Sequence, residues 1–315
     1  MGELWDNLTN FLVGTGGWAY FKIPNMDSLV AYSSVFKFVE VNSTFYQIPK
    51  LKTVESWRKR VPKDFEFSVR CNQKLTHELC FSSNPESFKL LEKMQDICQV
   101  LKSELLHFQT PPSFEYTKNN CKKVSDFFSS IKKTNLRFVL EPRTRSRLDS
   151  NFKQLLQDYD IVHCVDLLKA MKPVYSTDLV YTRLFGKGFH NIYQPNDSEL
   201  KEVDMAISDE NPKKAVITMH GNRMFKDAGR FLIYKKTGDF PQVTNSTGVD
   251  SLVEVLKEDA IFPSSKPNLV KHQGWKVIDL TSTKRVHASY FLERLPEKTY
   301  YGIQDILQVL GDTRF

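Results

Sequence analysis

Ile161-Val162-His163-Cys164-Val165-Asp166 is a short apolar run that ends abruptly on a charge. Apolar runs of this length fit strands buried on both faces, as in a parallel sheet covered by helices. The terminal charge marks where the chain leaves the sheet. Outward from it, similar runs occupy residues 12–14, 38–41, 66–69, 105–108, 138–140, 179–184 and 215–219, which brings the number to eight. Polar, helix-compatible stretches lie between them. In 87–102, Phe88, Leu91, Met94, Ile97, Cys98 and Leu101 recur at spacings of three and four, and Val124, Phe127, Phe128 and Ile131 repeat the pattern. Eight strand–helix alternations in one chain predict an α/β protein whose sheet closes into a (β/α)8 TIM barrel. There is no glycine fingerprint for a dinucleotide and no Walker loop, the usual reasons for an open doubly wound sheet.

The pattern changes near Pro241, where Gln242 to Gly248 is a string of turn formers. Residues 1–243 are therefore expected to form the barrel and 244–315 a small α+β domain whose role the sequence does not indicate. In the latter, 251–258 reads as a helix, 275–280 and 286–292 as strands joined at 281–285, and 299–310 as a closing helix. Lys284, Arg285 and His287 at the hairpin tip resemble the wing of a winged helix, but the zero net charge of 244–315 argues against strong nucleic-acid binding, and an interaction or dimer module is an equal alternative. Charge separates the two parts. Nine of the 44 Lys and Arg and nine of the 37 Asp and Glu lie in 244–315, so the formal net charge of +7 belongs to the rest. A basic barrel favours a polyanionic partner or a phosphorylated substrate.

With 315 residues, 41% hydrophobic and 26% charged, the chain has the composition of a globular protein. Thirteen Gly and fourteen Pro are too few for a fibrous or low-complexity chain, and no run has the length of a membrane span. The N-terminus shows no export or import signal, so a cytoplasmic location and no membrane partner are expected. Oligomeric state is not indicated. Cys71, Cys80, Cys98, Cys121 and Cys164 form no C-x-x-C pair, and reduced, buried thiols are expected.

In a parallel barrel the site forms where strands end and loops begin, because that rim gathers side chains from every unit. Reading the end of each run yields Tyr20 beside Trp18, Glu40 and Asn42, Lys74 and His77, Gln109, Glu141 and Arg143, Asp166, Tyr181 and Arg183, and His220 with Asn222. Glu40, Glu141 and Asp166 are candidate acid/base groups or cation ligands, and a second carboxylate nearby would raise the pKa of one of them. His77 is the candidate imidazole for proton transfer. Arg143 and Arg183 present forked donors suited to phosphate, with pairing to Glu141 or Asp166 as the structural alternative. Tyr20, Asn42, Lys74, Gln109, Tyr181 and Asn222 are candidate substrate contacts. A divalent metal is compatible with these carboxylates and imidazoles, but no ligand motif indicates one and no cofactor is specified. His107 and His163 fall inside strands and read as lumen or core residues. Arg143, Arg145 and Arg147 alternate after the fifth run and are candidates for backbone phosphate contacts.

Gly14-Thr15-Gly16-Gly17-Trp18-Ala19-Tyr20, Val39-Glu40-Val41-Asn42-Ser43-Thr44-Phe45-Tyr46 and Phe108-Gln109-Thr110-Pro111-Pro112-Ser113-Phe114 carry a further signal. With Trp57, Lys74, His77, Glu141, Arg143, Asp166, Tyr181, Arg183 and Gly186 in order, they resemble the YecE-like family, domain of unknown function 72, over about residues 12–234. The resemblance implies a TIM barrel and no settled reaction. The chain departs from the family's tendencies at Thr144 and Arg147, at Phe185, and at Gly221 beside Asn222.

Together these readings favour a hydrolase or lyase acting on a phosphate-bearing small molecule or on nucleic acid, damaged or modified nucleic acid included. The alternatives are a sugar or sugar-phosphate isomerase, and a non-catalytic nucleic-acid-binding or scaffold barrel.

Overall fold

The computed structural model describes residues 9–132, 134–188 and 191–311. They divide into two compact units. The first holds the described residues up to Leu184 together with Ala206–Met219, and the second holds Phe185–Met205 and the residues from His220 onward. The boundary expected at 243/244 falls inside the second unit.

The first unit contains eight parallel strands: β1 (Asn10–Thr15), β2 (Phe38–Val41), β3 (Glu66–Arg70), β4 (Leu105–Gln109), β5 (Arg137–Glu141), β6 (Val162–His163), β7 (Leu179–Leu184) and β8 (Lys214–Met219). The connecting helices are α1 (Ser28–Ser33), α2 (Leu51–Lys59), α3 (Pro85–Leu101), α4 (Lys118–Ser129), α5 (Ser150–Asp158) and α6 (Asp197–Glu210), the last shared between the units. All eight expected strands are present. The longest helix of the first unit, α3, shows why the sequence folds as it does. Asn84 caps it by accepting from the Ser87 amide, Pro85 starts it, and Leu90, Leu91, Met94, Ile97, Cys98 and Leu101 form its buried face. Each such aliphatic side chain contributes about 1.5–3 kcal/mol on burial.

Two ladders make the barrel, β2-β3-β4-β5-β6 and β7-β8-β1, all in parallel register. The seam between β6 and β7 is closed by Val165, which pairs with Thr182 and bonds the backbone of Tyr181 and Arg183. At the seam between β1 and β2 a side chain does the joining. The Thr15 amide donates to the Tyr32 hydroxyl at 3.0 Å, and that hydroxyl donates to the Phe38 carbonyl at 2.8 Å. Gly14 makes this approach possible, since a Cβ there would stand 2.2 Å from the Phe38 carbonyl oxygen.

With a period of two, alternate residues of each strand face the lumen. Leu12, Phe38, Leu105, Val139, Val162, Leu179 and Val216 form one apolar cluster with Cys164 and Tyr181. Two residues further along, the same faces carry Glu40, His107, Glu141 and Tyr181, and then Asn42, Gln109 and Arg183. The barrel lumen is apolar at one end and ionic at the other.

The second unit contains α7 (Met224–Thr237), α8 (Gly248–Asp259), β9 (Ser264–Ser265), α9 (Lys266–Gln273), β10 (Val277–Asp279), β11 (Arg285–His287), α10 (Ser289–Leu292), β12 (Thr299–Tyr300) and α11 (Ile303–Gly311). Its core includes Leu252, Leu256, Leu269, Ile278, Phe291, Leu292, Tyr300 and Ile306. Three expectations are corrected here. The strand read over 286–292 stops at His287 and gives way to a helical turn, which lets the consecutive Phe291 and Leu292 both enter the core. The closing helix begins at Ile303, because Thr299 and Tyr300 pair with Ser265 and Ser264. The hairpin is no wing: Arg285 is 6% exposed and paired with Asp197, and the His287 Nε2–H donates to the Gln194 carbonyl at 2.8 Å. No helix among the described residues is long and apolar enough to cross a membrane.

Candidate functional site at the C-terminal end of the barrel

Arg183, at the end of β7, is the hub. It is 1% exposed. One terminal nitrogen donates to Glu40 Oε1 at 3.0 Å, and the other to Glu141 Oε2 and to Gln109 Oε1 at 2.9 Å. Thus β2, β4, β5 and β7 are tied together across the lumen. Tyr181, two residues earlier on the same face, donates to Glu40 Oε2 at 2.8 Å and lies 2.8 Å from the Ser68 hydroxyl. Its ring stacks on His107 at 5.6 Å, and His107 Nε2 lies 3.2 Å from Glu141 Oε2.

Arg70, the last residue of β3, forms the second centre. Its terminal nitrogens donate to Asn42 Oδ1 and Gln109 Oε1, and its guanidinium lies 3.4 Å over the Phe45 ring. Nε of Arg70 is buried and has no hydrogen-bond partner among the described residues. Arg143 Nε donates to Glu141 Oε1 at 2.8 Å from a half-buried position. His77 sits on a π turn, Lys74–Glu78. Its ring meets Phe45 edge-on at 5.3 Å, and Nδ1 lies 2.8 Å from the Thr76 hydroxyl.

The electrostatics follow from burial and arginine. Burial alone would raise the Glu141 carboxyl, but Arg183, His107 and Arg143 outweigh it and hold that carboxyl well below the usual range. The raised carboxyl expected of neighbouring acids is therefore absent at Glu141, because a guanidinium stands between the two glutamates. Burial and the adjacent Glu40 push Tyr181 well up, so its proton stays on and is donated. Burial, then Arg183, lowers Arg70 to about 10. His77 is lowered by burial and then by Arg70 and Arg143, which keeps it neutral at neutral pH.

The remaining candidates make other contacts as well. Asp166 caps a short turn by accepting from the Leu168 amide and pairs with Lys169 at 3.5 Å. Lys74 is exposed and paired with Glu86 at 2.7 Å. Tyr20 is 84% exposed. Asn222 is an exposed residue of the second unit, in which Phe185 stacks on His220 at 4.6 Å.

The family model described as "Protein of unknown function DUF72" matches residues 12–232. The chain belongs to the DUF72 family. YunF of Bacillus subtilis (strain 168), a UPF0759 protein, is 31% identical over 119 residues, which is 34% of this chain and 42% of that relative's length. A DUF72 protein from Thermotoga maritima MSB8 superposes with a TM-score of 0.60 at 19% identity, over 72% of this chain and 99% of that one. Another, from Enterococcus faecalis V583, gives 0.57 at 19% identity over 74% and 99%. At such identities these structures speak for the fold alone, a TIM barrel. The match ends before α8, so most of the second unit lies beyond the DUF72 region.

Within the DUF72 barrel, sequence reading missed Arg70, Ser68 and Cys164. Arg70 had a usable signal, since it closes the third run one residue past Val69 and shares a face with Ser68. Cys164, His107 and Glu141 offer donor atoms within 4.8 Å of one another. They do not fit a metal ion: Arg183 already neutralises Glu141 as the local cation, and burial holds the Cys164 thiol protonated. At Gly221 a Cβ would stand 3.0 Å from the Tyr193 carbonyl oxygen, a tight approach that glycine avoids.

Proposed function

We propose that this DUF72 barrel is a hydrolase or lyase for a phosphate-bearing substrate, with Arg70 and Arg143 holding the anion and His77 accepting the proton. One observation carries the reading. Arg70 is 5% exposed and keeps an unpartnered Nε–H next to a half-buried guanidinium and a neutral imidazole. Arg70, Arg143 and Arg183 bring three guanidinium groups to the rim beside Glu40 and Glu141. Desolvated forked donors of this kind suit an oxyanion. Arg183 is committed to the glutamates, and its role is to hold Glu141 and Gln109 where they orient Arg143 and Arg70.

The test is calorimetric titration with inorganic phosphate, alongside turnover on a panel of phosphomonoesters and phosphodiesters. Arg143→Gln is expected to weaken phosphate binding by roughly tenfold or more, the scale of a charge-assisted hydrogen bond. His77→Asn is expected to retain phosphate and lose turnover by about 10²–10⁴-fold. A wild-type protein that ignores phosphate overturns the reading. Interconversion of a sugar phosphate with no phosphate released would assign isomerase chemistry to the same anion site.

A further inference from the structure

We propose that the mouth of the barrel is a binding surface for single-stranded nucleic acid, an inference that rests on the Arg70–Arg143 site taking a phosphate ester. It begins with two aromatics that the fold does not use. Tyr20, in the loop after β1, is 84% exposed, and Tyr46, in the loop after β2, is 67% exposed. Tyr46 adjoins the site directly, since its ring meets Phe45 edge-on at 5.1 Å and Phe45 carries Arg70. Open rings of this kind are stacking platforms for bases.

Cations flank them on the same end of the barrel. Lys89 and Lys93, one turn apart on α3, line a cleft of about 530 Å³ that also includes Asn72. The Asn72 side chain donates to the Thr44 carbonyl, which joins the cleft to the loop bearing Phe45 and Tyr46. Beyond β5, Arg145 and Arg147 follow Arg143 and are exposed. None of these four cations has an ion-pair partner among the described residues, whereas Glu86 in the same cleft is neutralised by Lys74. A backbone phosphate every nucleotide supplies the missing counter-charge, and unpaired bases supply the ring faces. In a duplex the bases are already stacked on one another, so a single strand is the better complement.

The experiment is fluorescence anisotropy with a labelled oligothymidylate across a salt series, on the full chain. The expected result is binding whose log affinity falls linearly with log salt. The steepness should drop by about 0.7 for each charge removed in Lys89→Gln with Lys93→Gln, or in Arg145→Gln with Arg147→Gln. Tyr46→Ala is expected to weaken binding by roughly tenfold with the slope unchanged. All these variants should bind inorganic phosphate as the wild type does, because none alters Arg70 or Arg143. No oligonucleotide binding by a protein that binds phosphate overturns this proposal and leaves the phosphate site standing. Loss of phosphate binding itself removes the site beneath both. Equal binding of duplex or of polyglutamate, or an unchanged slope in both double variants, also overturns it.

Discussion

Glu141 has been taken out of water without losing its charge, and Arg183 is the reason. A buried guanidinium bridging two buried carboxylates is costly to break from one side, since the acids then remain desolvated and uncompensated. Arg183→Met is expected to lower stability by about 3–5 kcal/mol in urea denaturation, and adding Glu141→Gln to it should recover part of the loss. The same pairing sets an acid response. Because the folded carboxyl lies below the unfolded one, its contribution is present above the pH at which an unfolded glutamate ionises and fades as pH falls below that value. That acid-side loss should be reduced in the Arg183→Met protein.

At the scale of elements, Gly14 marks where β1 lies against the β2 backbone. A methyl group there meets a carbonyl oxygen, not the flexible end of a side chain, so relief requires the strands to part. Gly14→Ala is expected to cost about 1–3 kcal/mol or more in thermal or chemical unfolding, whereas the same change at Gly229, inside α7 with nothing nearby, is expected to be neutral or stabilising. Elements were legible where one period dominated. The runs at 38–41 and 179–184 coincide with β2 and β7, because both faces of a parallel barrel strand are buried. Residues 286–292 and 299–310 misled because each joins a few paired residues to a helix, and apolar content does not separate the two. The helix Lys266–Gln273 carries only Leu269 and Val270 as aliphatic residues, too few for a visible stripe. In the site, Glu40, Gln109, Glu141, Tyr181 and Arg183 were legible as strand-end residues. Their pairing was not, because which charges meet across a lumen depends on strand stagger. Tyr20, Lys74 and Asn222 come from loops, where no period fixes direction.

Across the whole molecule, two buried carboxyls, one in each unit, answer acid with opposite signs. In the second unit Asp227 is fully buried, bonded to the Gln194 amide at 3.1 Å and to Arg230 at 3.2 Å, and burial raises its carboxyl to about 6 despite both arginines, Arg230 and Arg223. The folded protein therefore takes up a proton that the unfolded chain takes up only near pH 4. Stability gains from this residue as pH falls through about 6 and is complete below the unfolded value, up to about 3 kcal/mol. Comparing wild type with Asp227→Asn by urea unfolding between about pH 7 and pH 4 checks the sign. The gain should be missing from the variant, and a gain of equal size in both proteins would contradict it.

The phenol that bridges the first two staves of the cylinder has a consequence for alkali. Its proton is held by the Phe38 carbonyl, and burial pushes Tyr32 far above an ordinary tyrosine. Surface tyrosines will ionise in base while this latch stays shut. Once hydroxide can draw that one hydrogen away, the Phe38 carbonyl loses its donor and the first two staves lose a clasp.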